Sequence, residues 1–180
     1  MIDLYAANTP NGQRACVIVE EMALPYRLHK LDLSKGETKT PEFLKINPNA
    51  RAPVIIDPEG PDGKPITVTQ SWAISLYLAD KTGTFLPRDA RGRLRVIEWL
   101  FHLGTDVMMV HSTLNAVTNF VPERVKSTIE FYEVRVLDAF RNLDRRLQEN
   151  PYIVGDLSIA DLDFYPVYNY RRSFIERYPE

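Results

Sequence analysis

The hydrophobic pattern of the chain changes at Leu86-Pro87, and this change limits the folds available to it. Before these two residues, short apolar runs and turn residues alternate with stretches of helical periodicity, which is typical of an α/β unit. After them no convincing strand remains, and the periodicity predicts long helices only. The pattern therefore predicts two domains of different secondary-structure class, at residues 1–83 and 89–180, joined by a linker at residues 84–88.

The first domain is expected to follow the order β-α-β-α-β-β-α. Its strands are predicted at residues 2–5, 26–33, 53–57 and 65–69, and its helices at residues 13–23, from Pro41 and at residues 71–81. The helices of the second domain are predicted at residues 90–120, 122–148 and 159–177. The first strand-helix-strand unit is expected to have the usual right-handed crossover.

The buried face of the first helix is predicted from Cys16, Val17, Val19, Met22 and Ala23, which recur at helical spacing. Cys16 is the only cysteine, so the chain cannot form an internal disulfide or a cysteine zinc site, and a single thiol suits a reducing compartment. We interpret Cys16 as a small core residue rather than a nucleophile, because it lies beyond the start of the helix on an apolar face.

Charge and composition exclude several classes of function. The formal net charge is −2, so no strong field would recruit nucleic acid or an anionic membrane. The N-terminus has neither the basic nor the apolar region of a signal peptide, and no apolar run approaches the length that spans a bilayer. We therefore expect a cytoplasmic protein without a nucleic-acid or membrane partner.

The loop Thr9-Pro10-Asn11-Gly12 follows the first strand and opens the first helix. A neutral hydroxyl and an amide at a helix N-terminus can donate hydrogen bonds to a thiolate or disulfide sulfur, and the helix dipole adds to this effect. Taken in isolation, the same residues can instead serve only as a turn and an N-cap.

Three further segments carry recognisable patterns. The first runs from Pro41-Glu42-Phe43 through Asn47-Pro48 to Arg51-Ala52-Pro53-Val54, and the second is Thr69-Gln70-Ser71 at the start of a helix. The third is Ser158-Ile159-Ala160-Asp161, which has the spacing of a helix capping box and is read as a folding signal.

Together these segments resemble the cytosolic glutathione transferase family, and the Thr-Pro-Asn-Gly loop is similar to that of nu-class bacterial transferases and fungal nitrogen regulators. The resemblance implies a thioredoxin-like first domain, an all-helical second domain and a homodimer. It implies glutathione as co-substrate without a metal, and a small hydrophobic or disulfide-containing second substrate.

The resemblance also implies roles for individual residues. Thr9 and Asn11 would lie at the glutathione sulfur. Ala52, before a cis Pro53, would hold the cysteinyl backbone, Arg51 would attract the glycine carboxylate, and Gln70 with Ser71 would bind the γ-glutamyl group. Tyr5 is interpreted as a strand residue only. Met108-Met109 suit either an apolar substrate cleft or the core.

Three departures from the family pattern leave other functions open. Gln70 replaces a glutamate, Phe131 stands where some nu-like relatives have an arginine, with Arg135 one turn later, and the chain is expected to end before the last family helices. The main prediction is glutathione-dependent disulfide reduction or conjugation. The alternatives are a non-enzymatic binding or regulatory protein, and a glutathione-dependent isomerase or lyase of a biosynthetic pathway.

Overall fold

The computed structural model describes residues 1–178, and its first half has the predicted order β-α-β-α-β-β-α. The strands are β1 (Ile2–Ala7), β2 (Tyr26–Leu31), β3 (Val54–Asp57) and β4 (Ile66–Thr69), and the helices are α1 (Pro10–Glu21), α2 (Pro41–Ile46) and α3 (Ser71–Thr82). Two short 3₁₀ turns, Leu33–Lys35 and Glu37–Lys39, precede α2.

The four strands form one mixed sheet in the order β2-β1-β3-β4. β1 pairs with β2 in parallel, and β3 pairs with both β1 and β4 in antiparallel register. Leu4, Val54 and Ile55 on the two central strands are fully buried. This topology, with helices packed on the sheet, is the expected thioredoxin-like arrangement.

The second half of the described chain contains helices and no strand between residues 84 and 178. The helices are α4 (Ala90–His102), α5 (Met109–Asn119), α6 (Lys126–Glu149) and α7 (Ile159–Ile175), and a π-helical turn at Leu103–Met108 joins α4 to α5. The prediction that α6 begins at Pro122 is wrong, because the chain stays non-helical until the extended residue Val125. None of the helices within residues 1–178 combines the length and apolar character that crossing a membrane requires.

The connection between the two halves begins at Gly83, which caps α3 in the left-handed region (φ 69°). It ends at Asp89, whose side chain accepts a hydrogen bond from the Gly92 N–H and so caps α4. The Ile159 N–H at the start of α7 donates a 2.9 Å hydrogen bond to the Phe85 carbonyl, so the connection is held against the last helix. The division at residues 84–88 stays a prediction from sequence.

Ser158 and Asp161 form a capping box at the start of α7. The Ser158 N–H donates to Asp161 Oδ2 at 3.0 Å, and Asp161 Oδ1 accepts a 2.7 Å hydrogen bond from the Ile153 N–H. The carboxylate therefore satisfies two backbone donors and fixes the loop before α7. Asp161 therefore has a structural role, as the acceptor for the Ile153 and Ser158 N–H groups.

The buried face of α1 differs from the predicted one. The buried residues are Gly12, Arg14, Ala15, Ile18 and Val19. Cys16, Val17 and Met22 are only half-buried against the core, and Ala23 lies exposed beyond the helix end with φ 49°. The prediction counted apolar residues only, and therefore missed that the buried stripe includes a charged side chain.

That charged side chain, Arg14, pairs with Asp163 of α7 inside the protein. Their side chains are 1% and 0% exposed, and Arg14 Nε lies 3.6 Å from Asp163 Oδ1. Arg14 Nε also donates a 2.9 Å hydrogen bond to the Asp163 backbone carbonyl, and Ser75 Oγ of α3 donates to Asp163 Oδ1 at 2.7 Å. Burial raises the pKa of Asp163 to about 7, although Arg14 and Ser75 act to lower it. Helices α1, α3 and α7 thus meet at one buried polar cluster.

Gly104 lies in the π-helical turn against the indole of Trp72 on α3. A Cβ at Gly104 would come within 1.8 Å of Trp72 Cζ3, so no larger residue fits without movement of the ring. Single π-helical turns inside α-helices are often found beside functional sites. Here the turn lets the helix backbone approach α3 closely.

We expect Gly104→Ala to destabilise the protein by about 1–3 kcal/mol, because the overpacking cost exceeds the roughly 1 kcal/mol gain in helix propensity. Urea unfolding followed by circular dichroism measures the change. Thr105→Ala, at the exposed neighbouring position in the same turn, is the matched control. A Gly104→Ala variant at least as stable as wild type would contradict this packing.

We also expect Asp163 to make the stability fall with rising pH. Because the folded-state pKa of Asp163 is about 7 and the unfolded value is near 3.8, the folded protein binds more protons than the unfolded chain between these values. The contribution of Asp163 is therefore present below pH 4 and is lost as pH rises towards 7. Thermal unfolding of wild type and Asp163→Asn across this range measures it: the stability of wild type relative to the variant should decrease. A constant difference would refute the raised pKa.

Candidate functional site

The strand register brings three predicted site segments to one end of the sheet. β1 pairs with β3 as far as Tyr5–Val54, and β3 pairs with β4 as far as Val54–Thr69. The β1–α1 loop, Pro53 and Gln70 continue from these pairs in the same direction, beyond the last hydrogen-bonded residues. The sheet edge therefore gathers Thr9, Ala52-Pro53 and the start of α3.

Thr9 is the N-cap of α1. Its side-chain Oγ1 accepts a 3.2 Å hydrogen bond from the Gly12 N–H, which leaves the hydroxyl proton available to a ligand. Gly12 is required here because a Cβ would lie 2.0 Å from the Ala7 carbonyl oxygen. The close approach of the helix to the end of β1 explains the glycine in the loop motif.

Asn11 lies exposed in the first turn of α1, and Arg14 determines its orientation. Asn11 Oδ1 accepts a 2.7 Å hydrogen bond from Arg14 Nη1. The side-chain NH₂ group is therefore the end of the amide that remains for a ligand. Thr9 and Asn11 together present hydrogen-bond donors at a helix N-terminus, where the dipole also favours negative charge.

Ser71 is the first residue of α3 and is buried, and its Oγ accepts a 2.9 Å hydrogen bond from the same Arg14 Nη1. Gln70 precedes it, is exposed and has φ 72° with ψ 117°, an unfavourable backbone conformation for a residue with a side chain. Such strain persists where the surroundings impose it, often at ligand sites. Here the strained residue forms the turn between the end of β4 at Thr69 and the start of α3 at Ser71.

The peptide bond between Ala52 and Pro53 is cis, as the resemblance implied. Pro53 is buried and Arg51 is exposed. The buried side chain of Asn47 shapes this loop, because its Nδ2 donates a 2.7 Å hydrogen bond to the Arg51 carbonyl and its Oδ1 accepts from the Asn49 N–H at 3.1 Å. The asparagine of the Asn47-Pro48 motif is therefore a structural support for residues 51–53.

Two cavities flank the loop that carries Thr9 and Asn11. One, of about 270 Å³, lies between the two halves of the chain and is lined in part by Asn11, Gln70, Ser71, Trp72 and Met108. The other, of about 460 Å³, is lined by Thr9 and by residues 30–35, among them Lys30 and Lys35. Met109 also lines the first cavity, so the methionine pair faces the cleft between the halves.

Arg14 is the residue of this site that sequence reasoning missed. It lies three residues after Asn11 and four before the buried Ile18, which is the spacing of one helix face. A lone charge on an otherwise apolar helix face was the available signal. Its partner Asp163 is 149 residues away in the sequence and gave no local sign of the pairing.

Other candidate side chains lie apart from this cluster. Burial, and secondarily Glu20, raises the pKa of the Cys16 thiol, which opposes a nucleophilic role. The Tyr5 ring stacks on His29 on the sheet, with 4.3 Å between ring centroids. Phe131 and Arg135 lie exposed on α6. No group of three or more His, Cys, Asp or Glu within residues 1–178 is arranged to hold a metal ion.

Several proteins of similar sequence and fold are glutathione transferases or disulfide-bond oxidoreductases. A family model described as "Glutathione S-transferase, N-terminal domain" matches residues 9–81. The disulfide-bond oxidoreductase YfcG of Escherichia coli is 39% identical over 171 residues, which cover 94% of this chain and 80% of that protein.

Two solved structures extend the similarity to the whole fold. A glutathione transferase of Burkholderia graminis, with two glutathione molecules bound per subunit, superposes with a TM-score of 0.91 at 36% identity and covers 97% of this chain and 74% of its own. A glutathione transferase of Pseudomonas putida, with one glutathione disulfide per subunit, has a TM-score of 0.89 at 28% identity, covering 98% and 80%. On this similarity of sequence and structure, the chain belongs to the glutathione S-transferase family.

Proposed function

We propose that this chain is a glutathione-dependent enzyme that reduces disulfides or conjugates small electrophiles through a stabilised glutathione thiolate. The observation that carries the proposal is the convergence at one sheet edge of the Thr9–Asn11 helix N-terminus, the cis Ala52-Pro53 bond and the start of α3. Each segment offers hydrogen-bonding groups to a different part of an extended tripeptide.

In this proposal glutathione lies along the sheet edge as an added extended segment. The backbone N–H and carbonyl of Ala52 pair with its cysteinyl residue. Ser71 and the free N–H groups at the start of α3 bind the γ-glutamyl carboxylate, since a helix N-terminus favours an anion. Arg51 attracts the glycine carboxylate from its exposed position.

The sulfur then lies at Thr9 and Asn11, whose hydroxyl and amide donate hydrogen bonds to the thiolate. Stabilising the thiolate lowers the thiol pKa, and each pKa unit corresponds to roughly 1.4 kcal/mol. With a disulfide substrate the thiolate attacks one sulfur, the S–S bond breaks, and the departing thiolate takes up a proton. A second glutathione thiolate then attacks the mixed disulfide, which yields glutathione disulfide and the second free thiol.

We rank disulfide reduction before conjugation because the relative YfcG is named a disulfide-bond oxidoreductase. The apolar side chains Trp72, Met108 and Met109 beside Asn11 suit a hydrophobic second substrate in the cleft. We also propose that the protein is a homodimer and that it is located in the cytoplasm.

Calorimetry with glutathione and with glutathione disulfide tests binding, and a panel of a small disulfide, an aryl halide and a maleyl-type substrate tests the reaction. We expect binding of both ligands and the fastest turnover with the disulfide. If neither glutathione nor glutathione disulfide binds at millimolar concentration, the proposed enzymatic function is refuted. Binding without turnover of any substrate would instead favour a regulatory protein.

Thr9→Val should lower kcat/KM about 10- to 100-fold, because it keeps the shape of the side chain but removes a hydrogen bond to an anionic sulfur. Thr9→Ser, which keeps the hydroxyl and the N-cap, should stay within a few-fold of wild type. Steady-state kinetics with varied glutathione gives the comparison, and thermal unfolding corrects for loss of the cap. Equal activity of the valine and serine variants would exclude the role of the hydroxyl.

Gln70→Glu should tighten glutathione binding several-fold. The introduced carboxylate would face the γ-glutamyl ammonium from the same strained backbone position, and a partly exposed ion pair is worth up to about 1 kcal/mol. The gain should shrink at high salt, where such pairs are screened. Calorimetric affinities at two ionic strengths measure it. Unchanged or weaker affinity at low salt would place the ammonium away from residue 70.

A further inference from the structure

A buried arginine at the start of α1 needs an explanation beyond packing. Removing a guanidinium from water is costly, and buried ion pairs are often no more stabilising than apolar residues of the same volume. Arg14 is nevertheless 1% exposed and forms an ion pair with Asp163. Two of its hydrogen bonds go to Asn11 and Ser71, which belong to the site and not to the core.

We propose that Arg14 is a positioning residue that holds Asn11 and Ser71 with their hydrogen-bond donors facing the glutathione site. This inference rests on the function proposed above and assigns to the buried Arg14 a role through the two side chains to which it donates hydrogen bonds. Arg14 acts through two side chains that contact the ligand.

The argument for Asn11 follows from the donors of arginine. An amide side chain can rotate by half a turn and present either its oxygen or its NH₂ group, and its oxygen would repel a thiolate. A guanidinium has only donors, so the 2.7 Å contact from Arg14 Nη1 fixes Asn11 Oδ1 inwards. The NH₂ group is thereby held towards the side where the sulfur is proposed to bind.

The same reasoning applies to Ser71. Its Oγ accepts a 2.9 Å hydrogen bond from the second N–H of Arg14 Nη1, so its own hydroxyl proton is directed elsewhere. The γ-glutamyl carboxylate is an acceptor that needs such a donor. One nitrogen atom therefore orients a donor for the thiolate and a donor for the carboxylate.

Two contacts from outside the loop hold Arg14 in place. Its Nε donates to the Asp163 carbonyl of α7 at 2.9 Å, and the guanidinium carbon lies 5.0 Å from the centre of the Trp72 ring. The planar group is thus fixed at its edge and on its face, which a lysine at this position would not reproduce.

The test compares Arg14→Met with wild type, and the readout is the thiol pKa of bound glutathione, followed by the ultraviolet absorbance of the thiolate against pH. We expect a rise of about one unit, which is about tenfold less thiolate at a given pH below that value. Glutathione affinity should also fall, by about fivefold, through the loss of orientation at Ser71.

A double-mutant cycle shows whether Arg14 acts through Asn11. In the Asn11→Ala background, Arg14→Met should change the thiol pKa by much less than one unit, because the orienting target is gone. Equal shifts in both backgrounds would overturn the role of Arg14 in orienting Asn11. Arg146→Met is the matched control, since Arg146 Nε likewise donates to a backbone carbonyl, that of Ile153 at 2.7 Å. This control should affect stability without moving the thiol pKa.

Two further variants keep the test decisive if Arg14→Met fails to fold. Arg14→Met with Asp163→Asn removes both buried charges, and Asn11→Asp keeps the acceptor for Arg14 but replaces the NH₂ donor with oxygen. We expect Asn11→Asp to fold and to raise the thiol pKa. A thiol pKa equal to that of wild type in either variant would refute the orientation argument, whereas failure of wild type to bind glutathione would refute the proposed function itself.

Discussion

The buried guanidinium of Arg14 connects helices α1, α3 and α7. Arg14 belongs to α1 of the thioredoxin-like half, its acceptor Asp163 belongs to α7, and its other partners Asn11 and Ser71 stand at the starts of two helices. A charge in this position is tolerated only while its donors are matched, because an unpaired buried ion costs several kcal/mol. The requirement to match them determines how α1, α3 and α7 approach one another.

The sheet imposes the second constraint. Because register is fixed by which face is buried, the pairing of Val54 with both Tyr5 and Thr69 leaves no freedom in where the loops at that edge lie. The edge carries the helix N-terminus at Thr9 and the cis bond before Pro53. The chemistry proposed for the site therefore depends on the backbone pairing of strands that end within two residues of Ala52 and Gln70.

Local signals predicted much of this arrangement. The order of the elements, the Thr9 cap and the Ser158–Asp161 box follow from turn, capping and periodicity rules that act over a few residues. The start of α6 was misjudged because a proline is a good first helical residue, and nothing local marks Val125 as extended.

Apart from the start of α6, the features that sequence reasoning missed depend on contacts between residues far apart in the sequence. The buried stripe of α1 includes Arg14 only because Asp163 supplies a carboxylate from the other end of the chain. From the sequence alone, Gly104 predicts only a weaker helix. In the structure the indole of Trp72 leaves no room for a side chain at this position. In each case the identity of the residue is explained by a partner that no local sequence pattern predicts. The family resemblance predicted glutathione as the ligand but predicted none of these contacts.

The hydrogen bond from Ile159 to the Phe85 carbonyl and the Arg14–Asp163 pair have a consequence for how such chains can recombine. Thioredoxin-like and helical halves look like interchangeable modules, yet here α7 supplies acceptors to the other half. A chimera that joined residues 1–83 to a foreign helical half without an acceptor side chain at the Asp163 position would leave the buried Arg14 without this partner beneath the loop that carries Thr9 and Asn11. Exchange of the halves is therefore restricted to partners that carry a matching acceptor at this position.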